Sequence, residues 1–256
     1  MDFSELFTLQ GRTALITGGS RGIGYMIARG FLAQGARVYI TARKQAACDA
    51  AAKELSALGE CRSLPADVST TDGIQDLVAH YRTHEDTLDV LVNNAGAAWG
   101  ESFDTFPEHG WDKVMDLNVK TPFFLTQALK PLLGRGQDAD RSKVINIASI
   151  DGISLNPQET YSYHASKAAV IQLTRRMAIR LITDGIVVNG IAPGAFASDM
   201  NKVARDHAEA VASHIPAGRI GRPEDMAAAA VYLASRAGDY VVGSTLVVDG
   251  GVTHAR

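Results

Sequence analysis

Thr13-Ala14-Leu15-Ile16-Thr17-Gly18-Gly19-Ser20-Arg21-Gly22-Ile23-Gly24 decides the fold. A short apolar, β-branched run, Thr13–Thr17, passes without a linker into a glycine-rich turn, and an amphipathic helical pattern follows through Gln34. Glycines at such a strand-to-helix junction let the backbone turn tightly and approach a pyrophosphate, which the helix N-terminus then favours electrostatically. Three residues separate the first and second key glycines, a departure from the commonest dinucleotide fingerprint.

Further Val- and Ile-rich runs occur at Arg37–Thr41, Arg62–Ala66, Val90–Asn93, Lys143–Ala148, Ile186–Ile191 and Thr245–Val248. Helical patterns fill most of the gaps. Such alternation predicts an α/β fold, a doubly wound parallel sheet with crossover helices on both faces. A chain of 256 residues with 46% hydrophobic content and no internal repeat reads as one domain, 1–256, able to bury a sizeable core. The formal charge of −3 argues against nucleic acid as a partner. No apolar run approaches the roughly 20 residues that cross a bilayer. Met1 to Gln10 is acidic rather than signal-like, so a soluble, cytoplasmic protein without membrane association is expected. Cys48 and Cys61, in a helical pattern and at a strand start, read as reduced thiols.

The chemistry centres on Tyr163-His164-Ala165-Ser166-Lys167, which opens a helical pattern running from Tyr163 to Ile182. Residues four apart share a helix face, so the Lys167 amine lies one turn from the Tyr163 phenol and favours its anion. A phenol drawn down from its usual pKa of about 10 can give a proton to a carbonyl oxygen or take one from an alcohol. By itself the pair equally marks a helix surface. Ser149, at the carboxyl end of the fifth strand, is placed to hydrogen-bond the same substrate oxygen. A nucleophilic role for it is disfavoured, because no histidine stands at a strand end as its base. In the helical pattern of about Gly110 to Leu133, Pro122 deprives the Asn118 carbonyl of its usual partner. That carbonyl is a candidate holder of a relay water leading to Lys167, or else the proline simply kinks a packing helix.

Cofactor contacts are expected from Gly18, Ser20, Arg21, Ile23 and Gly24 in the glycine turn, and from Tyr163 and Lys167 themselves. The second strand ends in Thr41-Ala42-Arg43, without the acidic residue that would bind an adenosine ribose and repel a 2′-phosphate. Arg43 and Arg21 suit that phosphate, which predicts NADPH rather than NADH. Asp67 and Val68 offer a carboxylate and an apolar contact beside the adenine, although Asp67 also reads as a helix cap. Asn94, Ala95 and Gly96 let backbone pass close to the ligand, with Asn side chains available to tie strand ends. Pro193 and Gly194 follow the sixth strand, and Phe196 and Ser198 open an irregular segment, about 195–215, that reads as a lid. Its Phe196, Met200, Val203 and Ile215 would cover a greasy substrate or form core beneath the loop. His164 reads as structural or a pocket wall. His80 and His84 have metal-like spacing but no supporting ligands, so no metal site is expected. The apolar seventh strand, at a probable sheet edge, suggests burial against another subunit.

In order and spacing, the Thr17–Gly24 turn, Asn93 to Gly96, Asn118, Ser149, Tyr163, Lys167, Pro193-Gly194 and Asp249-Gly250-Gly251 resemble the short-chain dehydrogenase/reductase family over essentially the whole chain. The resemblance implies a Rossmann-type sheet of seven strands in order 3-2-1-4-5-6-7, an Asn118–Ser149–Tyr163–Lys167 tetrad and a homotetramer. It implies Tyr163 as general acid, Ser149 polarising the carbonyl, Lys167 on the nicotinamide ribose, and Asn118 holding a water. Gly18–Gly24, Ala98-Trp99-Gly100 and Trp111–Met115 are most similar to β-ketoacyl reductases, especially the rhamnolipid-synthesis branch. The expected substrate is therefore a 3-oxoacyl thioester or related small keto compound, reduced by NADP(H). Carrier-protein reductases present arginines where this chain has Asp140 and Asp184, with Arg135, Arg141 and Arg180 nearby, which weighs against docking of an acyl carrier protein. An alcohol or sugar dehydrogenase and a non-catalytic dinucleotide sensor are the competing readings.

Overall fold

The computed structural model describes residues 4–134 and 141–255. Seven strands, β1 (Thr13–Thr17), β2 (Arg37–Thr41), β3 (Cys61–Ser63), β4 (Val90–Asn93), β5 (Ser142–Ile147), β6 (Ile186–Pro193) and β7 (Thr245–Val248), form one sheet in order 3-2-1-4-5-6-7. Every pairing is parallel. β1, β4, β5 and β6 are buried at every residue. Helices on both faces account for that, and for the near-continuous apolar runs.

The strand period of two divides each strand between two cores. Ala14, Ile16, Val90 and Val92 face a cluster with Ile27, Phe31 and Met226, from the Gly22–Ala33 and Pro223–Ala234 helices. Leu15, Leu91 and Val144 face the opposite cluster, with Leu77, Leu129 and Met177 from the Thr71–Arg82, Thr121–Leu133 and Tyr161–Leu181 helices. Strand order reverses between β1 and β4, so the carboxyl ends of these strands open the crevice where α/β sheets bind ligands.

Several boundaries differ from expectation. β3 ends at Ser63 rather than Ala66; Leu64 N–H still reaches Ile40 O at 2.8 Å, but Pro65 has no N–H to continue the ladder. The helix expected over Gly110–Leu133 is three pieces: Glu108–Met115, a π-helical turn at Asp116–Lys120, and Thr121–Leu133. Thr121 N–H bonds Asp116 O, five residues back, so the chain widens by one residue just ahead of Pro122. The segment 195–215 is not irregular throughout. It holds two short helices, Lys202–Asp206 and Ala208–Ala212, the first capped by Asn201 Oδ1 accepting from Ala204 N at 3.1 Å. No described helix is long and apolar enough to cross a membrane.

Candidate active site

The glycine turn sits against the end of β2. Gly18 and Gly19 N–H both donate to Thr41 O, at 2.8 and 3.3 Å. Gly18 has φ +65°, and a Cβ on Gly24 would lie 2.5 Å from both Asn94 Nδ2 and Gly18 O. Any larger residue would therefore break the turn. Thr17, which the sequence reading passed over, organises the junction: its hydroxyl accepts from Asn94 N and Ala95 N, each at 2.9 Å. Asn94 Nδ2 donates to Thr17 O at 2.8 Å and to Gly18 O at 3.2 Å. The Asn94 side chain thus braces the turn, leaving backbone and small residues to line the crevice. A hydroxyl at the last residue of a fully buried strand was the available signal for Thr17. Asn93 ties strand ends as expected, donating to Asn146 Oδ1 at 2.9 Å.

The other predicted cofactor positions are distributed as follows. Arg43 is exposed and Ala42 partly so, at the end of β2; Arg21 is exposed and paired with Asp199 at 2.9 Å. Ser20 is partly buried, and Ile23 packs on the core behind the turn. Asp67 accepts from Ser69 N and Oγ, but the cap of the next helix is Thr70, whose hydroxyl accepts from Gly73 N at 3.1 Å. The Val68 side chain is buried in the core, and Thr121 Oγ1 donates to its carbonyl at 2.7 Å. Gly96 lies beside Asn118, and Gly194 N–H bonds Val248 O at 2.9 Å just after Pro193. Phe196 is 3% exposed, and a Cβ on Gly221 would lie 2.3 Å from its ring. Its side chain is therefore part of the core. Ile215 is also buried, whereas Met200 and Val203 are exposed. Ser198 lies against the glycine turn, its Cβ 3.4 Å from where a Cβ on Gly22 would stand. These residues fit a dinucleotide: a turn that excludes side chains, a helix N-terminus, and two exposed guanidinium groups with no acid between them in the chain.

At the end of β5, Ser149 is buried and its hydroxyl stands beside the Tyr163 phenol, close enough to favour the phenolate. The hydroxyl also accepts from Asp151 N at 3.1 Å, which fixes its direction. Lys167 is buried; its Nζ donates to Ile147 O at 2.8 Å and lies 5.5 Å from the centre of the Tyr163 ring. Burial pushes this amine down to about 8. The expected acidification of Tyr163 is not found in the chain alone. Burial pushes the phenol up to about 12, the nearby Ser149 hydroxyl opposes this, and the Asp151 carboxylate adds to the rise. The desolvation of a phenolate here outweighs the help of the Ser149 hydroxyl.

Asn118 is buried, with its side chain committed on both atoms. Oδ1 accepts from Ala97 N at 2.8 Å, and Nδ2 donates to Ala97 O and Ser166 Oγ, each at 2.9 Å. Ser166 Oγ in turn donates to Tyr163 O at 2.8 Å. Asn118 therefore joins the loop after β4 to the helix carrying Tyr163. Gly152 is a second residue the sequence reading missed. A Cβ there would stand 2.5 Å from the Lys167 carbonyl carbon and 2.7 Å from Ala168 N. Its bareness lets the turn after Ser149 rest on the backbone of the Tyr–Lys helix. His164 turns its Nδ1 back to Thr160 O at 3.0 Å, a structural position.

A hydroxyl and a phenol side by side near an amine, at the carboxyl edge of a parallel sheet, are the arrangement of a Rossmann-type oxidoreductase. The chain belongs to the short-chain dehydrogenase/reductase family. A family model described as enoyl-(acyl carrier protein) reductase matches residues 18–253. The rhamnolipids biosynthesis 3-oxoacyl-[acyl-carrier-protein] reductase of Pseudomonas aeruginosa is 49% identical over 249 residues, 96% of this chain and 97% of the relative. Gluconate 5-dehydrogenase of Gluconobacter oxydans is 36% identical over 258 residues, covering 99% of each chain. Among solved structures, the Pseudomonas aeruginosa RhlG/NADP active-site complex superposes with a TM-score of 0.93 at 47% identity, over 97% of this chain and 99% of that one. A gluconate 5-dehydrogenase from Burkholderia cenocepacia, in complex with NADP and tartrate, gives 0.91 at 33% identity, over 100% of each.

Proposed function

We propose that this protein reduces a ketone to a secondary alcohol with NADPH, and that its substrate is a 3-oxoacyl thioester or a related keto compound. The observation that carries the reading is the Ser149 hydroxyl beside the Tyr163 phenol at the carboxyl end of β5, with the Lys167 amine 5.5 Å from the centre of the phenol ring. The cofactor, when bound, supplies the hydride that adds to the carbonyl carbon. The chain's own residues manage the oxygen. Ser149, oriented by Asp151 N–H, donates to the carbonyl oxygen and polarises it. Tyr163, held protonated at neutral pH, gives its proton to that oxygen as negative charge develops there. Lys167 places positive charge beneath the resulting phenolate and holds the nicotinamide ribose. The Asn118 carbonyl, which Pro122 cannot satisfy, holds a water through which the proton is replenished.

NADPH is supported by Arg21 and Arg43 at the end of β2, by Ala42 in place of an acid, and by the NADP in the named solved relatives. An apolar substrate is supported by Ile153, Leu155, Met200 and Val203, exposed on the two segments that flank the catalytic side chains. With Phe196 and Ile215 in the core, the lid role rests on the 198–206 part of the segment. For carrier docking, Asp184 is shared by Lys130 at 3.1 Å and Arg180 at 2.8 Å, so that acid is neutralised; Asp140 and Arg135 lie outside the described residues. A coenzyme A thioester remains the simpler carrier. Assembly as a homotetramer is supported by the half-buried outer strand β7 and exposed Phe123 and Phe124. The two buried free thiols suit a cytoplasmic setting.

A substrate panel with NADPH, running from 3-oxoacyl-CoA thioesters through keto-sugars to aryl ketones, tests the reading. Preferential turnover of acyl thioesters is expected. Preference for 5-keto sugar acids would replace it with the sugar dehydrogenase reading, and tight NADPH binding without turnover of any ketone would leave a dinucleotide sensor.

A further inference from the structure

The acid closest to the glycine turn's cation comes from far along the chain. Asp199 Oδ2 pairs with Arg21 Nη1 at 2.9 Å, across 178 positions of sequence. The other carboxylate oxygen of Asp199 is held by Arg205 Nη1, also at 2.9 Å, and Arg205 grips Asp206 with Nε at 2.7 Å and Nη2 at 3.1 Å. Asp199 is thus stretched between the turn that receives the dinucleotide and the short helix Lys202–Asp206. Its neighbour Ser198 packs on Gly22 of the same turn.

The place of this ion pair gives it a consequence. The turn leans on the end of β2 through the two bonds to Thr41 O, and a strand end at that position reads the 2′ group of the adenosine ribose. Discrimination against a 2′-phosphate ordinarily comes from an acid on β2 itself, where this chain has Ala42. A carboxylate nevertheless reaches the neighbourhood, from the other side. A 2′-phosphate, carrying close to two negative charges, and the Asp199 carboxylate both seek the Arg21 guanidinium and repel each other across it.

We propose that Asp199 tunes selection between phosphorylated and unphosphorylated dinucleotide by competing with the 2′-phosphate for Arg21. With Arg21 engaged by Asp199, the phosphorylated cofactor must displace a carboxylate to gain its second cation. The unphosphorylated cofactor has no such contact to gain and is indifferent to Asp199. Arg205 moderates the competition, because it draws Asp199 toward the lid helix.

The test is binding and not turnover: dissociation constants for NADPH and NADH, by calorimetry at low salt, on the full chain without keto substrate. Asp199→Asn keeps the shape and removes the charge. It is expected to tighten NADPH about two- to fivefold, the scale of an exposed ion pair, and to leave NADH unchanged. The gain shrinks in high salt, where exposed charges are screened. In an Arg21→Gln background, the same substitution has no effect, since its target is gone. Arg205→Gln acts in the opposite direction, weakening NADPH about twofold by leaving Asp199 to Arg21 alone. NADPH affinity unchanged by Asp199→Asn, an equal gain for both dinucleotides, or a gain that survives Arg21→Gln would each overturn the proposal. Failure of the unaltered protein to bind either dinucleotide would overturn the cofactor reading and the proposal together, whatever the keto substrate is.

Discussion

On the proposed reading Tyr163 carries the chemistry, and its surroundings set the direction it favours. A phenol pushed up to about 12 keeps its proton through neutrality, which is the form a ketone reduction needs. Lys167, pushed down to about 8, is the group that changes state in the accessible range. Ketone reduction is therefore expected to be flat with pH below about 7 and to decline above about 8 as Lys167 loses its proton, measured as kcat across a buffer series at saturating substrate. A decline centred below pH 7 would assign the transition to another group. The sign for stability is opposite: Lys167 binds fewer protons folded than unfolded between about 8 and 10.5, so its contribution to stability rises with pH across that window. Gly152 acts at the same scale. Gly152→Ala sets a methyl against the Lys167 backbone and lifts the turn that carries Ser149. A fall in kcat of about 100-fold is expected, with NADPH affinity little changed, because a misplacement near 1 Å costs that much. Steady-state kinetics beside a cofactor titration checks it.

Among the elements, the π-helical turn at Asp116–Lys120 and the Tyr161–Leu181 helix are joined through one side chain, Asn118. Its link to the helix is Ser166, which receives Asn118 Nδ2 and passes its own proton to Tyr163 O. Ser166→Ala removes both bonds inside a buried site, and a loss of about 1–3 kcal/mol is expected, measured by urea unfolding. No loss would mean the two elements are held by packing alone. Most elements were legible in the sequence because strands and helices announce themselves by period: β1, β2, β4 and β7 have the boundaries their apolar runs suggest. The π turn was half legible. Pro122 located the disturbance, but how the chain absorbs a missing N–H depends on neighbours such as Val68 and Ser166, distant in sequence. That Ser149, Tyr163 and Lys167 gather at the carboxyl end of β5 was legible from their types and spacing. The phenol's ionisation was not, because desolvation is a property of the assembled pocket; Gly152, Thr17 and the Arg21–Asp199 pair escaped for the same reason. Phe196, read either as substrate cover or as core beneath the loop, has its ring seated on Gly221, a contact 25 positions away that no local pattern shows.

At the scale of the molecule, the parallel sheet fixes relative positions, and charge holds one end of it. Lys143, 1% exposed at the foot of β5, pairs with Asp239 in the turn after the Pro223–Ala234 helix, while Arg12 and Arg141 add like charge nearby. Asp239→Ala would strand a buried ammonium, and a destabilisation of about 3 kcal/mol is expected in chemical denaturation, at the low end for such pairs because Asp239 is partly exposed. Carboxyl-end residues are far from this pair along the strands, so cofactor binding should survive in the folded fraction. On the proposed reading the whole arrangement serves one event, delivery of a proton from Tyr163 to a substrate oxygen held by Ser149. The direct measurement is oxidation of NADPH with a 3-oxoacyl-CoA thioester by the unaltered protein and by Tyr163→Phe, beside an NADPH titration of each. Turnover by the former, a loss of at least about 1,000-fold in the latter and equal cofactor affinity are predicted, since the variant forfeits acid catalysis and the hydroxyl that stabilises the developing oxyanion together. Turnover retained in Tyr163→Phe would contradict the account.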